Sequence, residues 1–88
     1  MEDIERIYKV KIPDHRGNIP VARDILACAK DYQGFVRIEK DGRTVTGKSM
    51  IGILSLSLQN GDSIKVTCSG NDEFSAKLCL EKISMVIG

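Results

Sequence analysis

Apolar and polar residues alternate in two separated segments of the chain, which is the period of a β-strand with one buried face. Near the start, Tyr8, Val10 and Ile12 alternate with lysines, and we predict a first strand over residues 4–12. The same alternation returns after the turn-forming pair Asn60-Gly61. We expect the fourth strand of the chain there, with its apolar side chains at Ile64, Val66 and Cys68.

Two further strands lie in the middle of the chain, joined by a tight turn. Val36 and Ile38 alternate with charged residues, and a second run follows at residues 43–48. Asp41-Gly42 separates the two runs, and this pair favours a type I′ turn because both central residues of such a turn need positive φ. The pattern therefore predicts a β-hairpin.

Three other segments have the spacing of three and four residues between apolar positions that indicates a helix. The first covers residues 20–32, with Pro20 near its start. After Ser49 the pattern fits either a helix or a strand, and we favour a short helix over residues 50–57. A last helix is predicted over about 72–85, after a turn that offers a capping residue. The residues that this helix is expected to bury are Phe74, Leu78, Cys79 and Ile83.

The element order βαββαβα predicts an α+β fold, with a mostly antiparallel four-stranded sheet covered by helices on one face. Eighty-eight residues suffice for one small core, so residues 1–88 are expected to form a single domain. Apolar residues make up 42% and charged residues 28%, the balance of a soluble globular protein. No apolar run approaches the length of a membrane span, so no membrane insertion is expected.

The charge and the cysteine content of the chain limit the classes of function that it can have. A formal net charge of +1, with basic and acidic residues interspersed, argues against direct nucleic-acid binding. The start of the chain has no basic segment followed by an apolar stretch, and we expect a cytoplasmic protein. Cys28, Cys68 and Cys79 have no Cys-x-x-Cys spacing, so we interpret them as small buried hydrophobic residues. No metal or cofactor is expected.

The centre of the chain resembles the histidine-containing phosphocarrier protein, HPr, of the Gram-positive type. The similar segments are EKDG at 39–42, KSMIGILSL at 48–56, the turn at 60–61, the strand at 64–66 and GNDE at 70–73. Together they extend the similarity over about residues 6–86. The resemblance implies an open-faced β-sandwich, in which three helices lie on one side of a four-stranded antiparallel sheet.

The resemblance also implies a function in the phosphoenolpyruvate-dependent sugar phosphotransferase system. Carriers of this family accept a phosphoryl group from enzyme I on a histidine and pass it to sugar-specific permease components. A kinase that is also a phosphorylase modifies a serine, and the product is a corepressor in carbon catabolite control. On this resemblance Ser49 is the regulatory serine, and protein partners dock on the surface around it. The residues assigned to that surface are Lys48, Met50, Ile51 and Leu54.

The partners implied are the kinase/phosphorylase and a transcriptional regulator, with enzyme I or permease components as further candidates. We expect a monomer or a weak dimer. From the residues alone, Ser49 is a natural helix N-cap, and its removal would cost about 1 kcal/mol.

The active centre of the carriers, Gly-Leu-His-x-Arg-Pro-Ala, is altered in this chain to RGNIPVA at residues 16–22. One alignment places Asn18 in the position of the histidine and Pro20 in that of the arginine, whereas the other places Ile19 and Val21 there. Neither an amide nor an alkyl group accepts a phosphoryl group, so the carrier reaction is not expected at these positions. Asn18 is expected to cap the first helix instead.

His15, followed by Arg16, lies three residues before Asn18 and is an alternative phosphoryl acceptor. It is displaced from the helix terminus that would stabilise the phosphorylated form. Three hypotheses therefore remain. The chain is a regulatory binding module switched at Ser49 and not an enzyme, a carrier that uses His15, or an interaction domain with neither phosphorylation.

Overall fold

The predicted elements are all present, in the predicted order, in the computed structural model, which describes residues 3–12 and 17–87. His15 and Arg16 lie outside the described residues. The strands are β1 (Ile4–Lys9), β2 (Phe35–Lys40), β3 (Arg43–Thr46) and β4 (Ser63–Ser69). The helices are α1 (Ile19–Asp31), α2 (Met50–Leu54) and α3 (Glu73–Ile87).

The four strands form one antiparallel sheet in the order β1-β4-β2-β3. Alternate residues of a strand face opposite sides of a sheet, so one face can be apolar and the other polar. One face is closed by the helices, whereas the other is open and carries exposed residues such as Arg37 and Thr44. This confirms the predicted α+β fold. The buried side chains of β2 and β4 are Val36, Ile38, Ile64, Val66 and Cys68.

Each helix contributes one apolar stripe to the core between the sheet and the helical layer. The stripes follow the spacing of three and four residues that the sequence predicts. Within residues 3–12 and 17–87, no helix is long and apolar enough to cross a membrane. The buried helical residues are Val21, Ala22, Ile25 and Ala29 of α1, Ile53 of α2, and Ala76, Cys79, Leu80, Ile83 and Ile87 of α3.

The first strand is shorter than the prediction of residues 4–12, because it ends at Lys9. Beyond it, the amide of Val10 donates to the carbonyl of Asp62 at 2.8 Å, and the amide of Ile12 donates to the side chain of Asn60 at 3.0 Å. Val10 and Ile12 are buried as their alternation predicts. The prediction was wrong about the strand because these residues bond a turn instead of a neighbouring strand.

The hairpin between β2 and β3 is confirmed. Asp41 and Gly42 have φ values of 51° and 80°, as a type I′ turn requires at both central positions. The turn fixes the register between β2 and β3, in which Lys40 lies opposite Arg43. Both cations are therefore placed at the tip of the hairpin.

The predicted burial of the last helix was partly wrong. Phe74 and Leu78 remain 77% and 45% exposed, because they lie outside the stripe that α3 turns towards the sheet. Cys79 and Ile83 are buried as predicted. Of the other two cysteines, Cys68 is buried and Cys28 is only partly so.

An ion pair joins the hairpin to the turn that precedes β4. Lys40 Nζ lies 2.8 Å from Asp62 Oδ2, and the same oxygen accepts a hydrogen bond from the amide of Gln59 at 2.8 Å. The bond from Lys40, followed by that from Gln59, holds the pKa of Asp62 below its ordinary value. The ionised form of Asp62 therefore stabilises the folded state.

We predict that Asp62→Asn lowers the free energy of unfolding by about 1 kcal/mol at pH 7, because a neutral amide keeps the size but loses the ion pair. The carboxyl has a lower pKa when folded, so its contribution is present above the unfolded value and lost as pH falls through the folded value. Urea denaturation should show the two proteins converging below about pH 4. Parallel pH profiles would contradict this assignment.

Candidate regulatory site at the start of the short helix

The serine singled out by the sequence is the N-cap of α2, as predicted. Ser49 has extended backbone, with φ −125° and ψ 117°, and its Oγ accepts a hydrogen bond from the amide of Gly52 at 3.1 Å. The carbonyl of Ser49 accepts from the amide of Ile53 at 3.0 Å. Five residues are too few to form a stable helix by themselves, so this cap matters more than it would in a long helix.

Lys48 connects the start of α2 to the end of α1. Its Nζ donates to the carbonyl of Tyr32, the C-cap residue of α1, at 2.7 Å. A cation is favourable at that position because the helix dipole places partial negative charge on the terminal carbonyls. The side chain that the resemblance assigns to partner binding is thus bonded within the chain.

Gly47 allows the segment before Ser49 to lie directly against the core. Its amide donates to the carbonyl of Val36 at 2.8 Å. A Cβ at this position would lie 2.8 Å from Cγ1 of Val36 and 3.3 Å from Cβ of Ala29. No pattern in the neighbouring sequence signals the need for glycine here, because that need comes from contacts with distant parts of the chain.

The apolar residues assigned to the partner surface differ in exposure. Ile51 is 83% exposed, whereas Met50 and Leu54 are partly buried against the core. Ile53, between them in the helix, is fully buried. The surface that α2 offers next to Ser49 therefore consists mainly of Ile51, with the edges of Met50 and Leu54.

Two cationic side chains of the hairpin bind the carbonyls that follow the end of α2. The sequence alone did not predict this contact. Lys40 Nζ donates to the carbonyls of Leu56 and Ser57 at 2.9 and 3.0 Å, and Arg43 donates to the carbonyl of Ser55 at 3.2 Å. Ser57 adopts a positive φ of 51°, which no helix can continue. The prediction of a helix over residues 50–57 was therefore too long at its end.

The altered active centre lies at the start of α1. Asn18 occupies the N-cap position, and its carbonyl accepts from the amide of Ala22 at 2.9 Å. Its side chain makes no capping bond, so that prediction was wrong. The reason is that its backbone is helical, with φ −93° and ψ −10°, whereas a capping side chain needs extended backbone.

Ile19 and Pro20 complete the altered centre. Ile19 is 52% exposed and offers only an alkyl surface to solvent. Pro20 lies in the first turn of α1 and lacks the backbone N–H that another residue would provide there. Neither side chain is a cation that could offset the charge of a phosphoryl group, as the arginine of the carriers does.

The sheet with three helices on one face and a capped serine at the short helix define a small α+β protein of the phosphocarrier type. A family model described as "PTS HPr component phosphorylation site" matches residues 9–86. The chain belongs to the HPr family. The family takes its name from phosphocarriers, which are not catalytic enzymes, and HPr-like proteins such as Crh resemble them.

Among curated proteins, the chain is similar both to HPr and to HPr-like proteins. It is 40% identical over 48 residues to the HPr-like protein Crh of Halalkalibacterium halodurans, and 38% identical over 45 residues to the phosphocarrier protein HPr of Borreliella burgdorferi. The matches cover 54% and 51% of this chain and 57% and 52% of those relatives, a little over half their length. The HPr-like protein Crh of Bacillus subtilis is 34% identical over 59 residues, 67% of this chain and 66% of that protein.

Solved structures extend the likeness to nearly the whole chain. The phosphocarrier protein HPr of Bacillus anthracis is 30% identical, with a TM-score of 0.81 and coverage of 98% of each chain. Crh of Bacillus subtilis, described as a dimer with a swapped domain, has a TM-score of 0.66 at 25% identity, over 90% of this chain and 82% of that one.

The two glycines that flank Ser49 give a matched pair of predictions. Gly47→Ala should lower the free energy of unfolding by about 1–3 kcal/mol, because the new methyl group overlaps Val36. Gly52→Ala should raise it by up to about 1 kcal/mol, because its methyl group meets Ser49 and Val45 at an ordinary 3.4 Å and alanine favours a helix. Urea denaturation measures both. Equal destabilisation by the two substitutions would show that the packing around Gly47 is not the cause.

Proposed function

We propose that this protein is a regulatory binding module of the phosphotransferase system, switched by phosphorylation of Ser49. The observation that supports the proposal is the position of Ser49, with its Oγ at the first turn of α2 and next to an exposed isoleucine. Retention of this serine contrasts with the altered centre at Asn18, where no described side chain is a phosphoryl acceptor.

A phosphate on Ser49 fits the local electrostatics. It would add about 1.5 to 2 negative charges at the end of α2 where backbone amides and the helix dipole favour them. The first turn of α2 contains no acidic residue that would repel the phosphate. The fold would therefore remain while the charge of the surface changes.

The change in charge lies beside the surface formed by Ile51 and the edges of Met50 and Leu54. An exposed apolar side chain next to a switchable charge lets one surface distinguish partners that accept an anion from partners that reject it. The partners proposed are the family kinase/phosphorylase and a transcriptional regulator, which would place the protein in carbon catabolite control.

The carrier function is the alternative. It would use His15 with Arg16, although His15 precedes the N-cap residue Asn18 by three residues in the sequence. An unmodified interaction domain is the third hypothesis, in which Lys48 and Ser49 have only their structural roles at the ends of α1 and α2.

We predict that ATP and the HPr kinase/phosphorylase add one acid-stable phosphate to the protein. Intact mass and peptide mapping should place the phosphate on Ser49, and Ser49→Ala should abolish it. Ser55→Ala is the matched control, since Ser55 is an exposed hydroxyl at the other end of the same helix. That variant should be phosphorylated like the unmodified sequence.

The parallel incubation contains phosphoenolpyruvate and enzyme I in place of ATP and the kinase. We expect no phosphorylated product. An acid-labile adduct that is lost in His15→Ala would overturn the regulatory proposal in favour of a carrier. Failure of both incubations would leave the unmodified interaction domain.

A further inference from the structure

Strand β1 forms an open edge of the sheet. In the order β1-β4-β2-β3 it has β4 on one side, and no strand of the described residues lies on its other side. Ile7, in the middle of β1, is 74% exposed. An edge strand of this kind offers unpaired backbone N–H and C=O groups to a strand from another chain. β1 is therefore a place where a further chain can add to the sheet.

Two hydrogen bonds just beyond β1 show which of its residues face the open edge. The amide of Val10 donates on the β4 side, to the carbonyl of Asp62 at 2.8 Å. The amide of Lys11 donates instead to the carbonyl of Ile87 in α3, at 3.0 Å. Backbone groups of successive residues in a strand point alternately to its two sides. The odd-numbered residues of β1 therefore direct their N–H and C=O groups to the open edge.

The side chains of these odd-numbered residues are complementary to themselves. Glu5 and Lys9 carry opposite charges and lie two residues before and two residues after Ile7, and all three are exposed. When two copies of this strand pair antiparallel with Ile7 opposite Ile7, each Glu5 lies opposite Lys9 of the second copy. Opposite charges and apolar side chains at directly opposed positions stabilise an antiparallel pair of strands.

Other registers of the same pairing are less favourable. Residues that face each other across an antiparallel pair must direct their backbone groups into the same gap, so the register shifts only in steps of two residues. A shift in one direction places Arg6 opposite Arg6, and like charges at opposed positions are destabilising. A shift in the other direction places Ile7 opposite Lys9 and separates the opposite charges. The sequence of β1 therefore selects one register.

The contact that Glu5 makes within its own chain competes only weakly. Its carboxylate lies 4.0 Å from Nζ of Lys65, which is closer to Glu39, at 3.6 Å. Exposed ion pairs of this kind contribute little to stability. Glu5 is therefore available to a cation of a second copy.

We propose that two folded copies of this chain associate through β1 in this register, so that their two sheets join into one continuous antiparallel sheet. The six residues of β1 give an interface smaller than that of a stable dimer, so the association is weak and depends on concentration. The short helix α2 packs against β3, which is the opposite edge of the sheet. The surface around Ser49 therefore stays accessible in the dimer, and the inference does not depend on the proposed regulatory function.

The first test is ¹H–¹⁵N NMR of the full chain, together with sedimentation equilibrium, from micromolar to millimolar concentration. We expect a monomer–dimer equilibrium in which the amide signals of Glu5, Ile7 and Lys9 move progressively as the concentration rises. The amides of Arg6 and Tyr8 face β4 in each copy, so their signals should move less.

Charge reversal tests the register. Lys9→Glu places two carboxylates opposite each other and should raise the dissociation constant of the dimer at least about threefold, because both symmetry-related pairs change from attraction to repulsion. Glu5→Lys should have the same effect. The double variant Glu5→Lys with Lys9→Glu should restore the affinity of the unsubstituted chain, because opposite charges again face each other.

A pair of lysine variants tests the position of the contact. Ile7→Lys should abolish the dimer, because two ammonium groups would lie opposite each other at its centre. Phe35→Lys is the matched control and should leave the dimer intact. Phe35 is 69% exposed on the same face of the sheet, but its strand, β2, lies between β4 and β3 and has no open edge.

Several results would overturn the proposal. These are a monomer at millimolar concentration, a double charge reversal that does not restore the affinity, or equal loss of the dimer in both lysine variants, which would indicate contact through the face of the sheet. Monomer and dimer fractions that interconvert slowly enough to be separated would indicate that the copies exchange β1, and would also contradict the pairing of two folded copies.

Discussion

The hydrogen bond from the Gly52 amide to Ser49 Oγ is the interaction on which the candidate site depends. A helix of five residues cannot persist without support from outside it. Ser49 supplies that support at one end, and Lys40 and Arg43 supply it at the other by binding the carbonyls that follow the helix. Because α2 is fixed from both sides, Ile51 is presented to solvent in a defined place, two residues after Ser49 in the chain.

The start of α1, where the active centre is altered, shares no residue with the start of α2. Phosphoryl transfer needs a nucleophile, and here Asn18, Ile19 and Pro20 offer neither a phosphoryl-accepting side chain nor a cation that would offset the charge of the group. The start of α2 is built from different residues, so it can keep its geometry while the start of α1 changes. The altered centre at the start of α1 is therefore structurally independent of the capped serine.

Local patterns predicted the fold and the cap well. Alternation, the Asp41-Gly42 turn and the position of Ser49 act through neighbouring residues, and the structure confirms each of them. The missing side-chain cap of Asn18 follows from its own helical backbone, whereas the failures at α2 and Gly47 involve contacts between distant segments. The end of α2 depends on cations of the hairpin, and the need for glycine at position 47 depends on close packing against Val36. The sequence next to α2 and Gly47 contains no signal of either contact.

The central claim is that phosphorylation of Ser49 changes the charge of the surface without changing the fold. Two-dimensional ¹H–¹⁵N NMR of the protein before and after phosphorylation at Ser49 tests it most directly. We expect the Gly52 amide to shift strongly, as its acceptor changes from a hydroxyl to a phosphate, while amides of β1 and β4 keep their positions. Loss of the α2 signals, or shifts throughout the sheet, would show that phosphorylation disrupts the helix and would contradict the account.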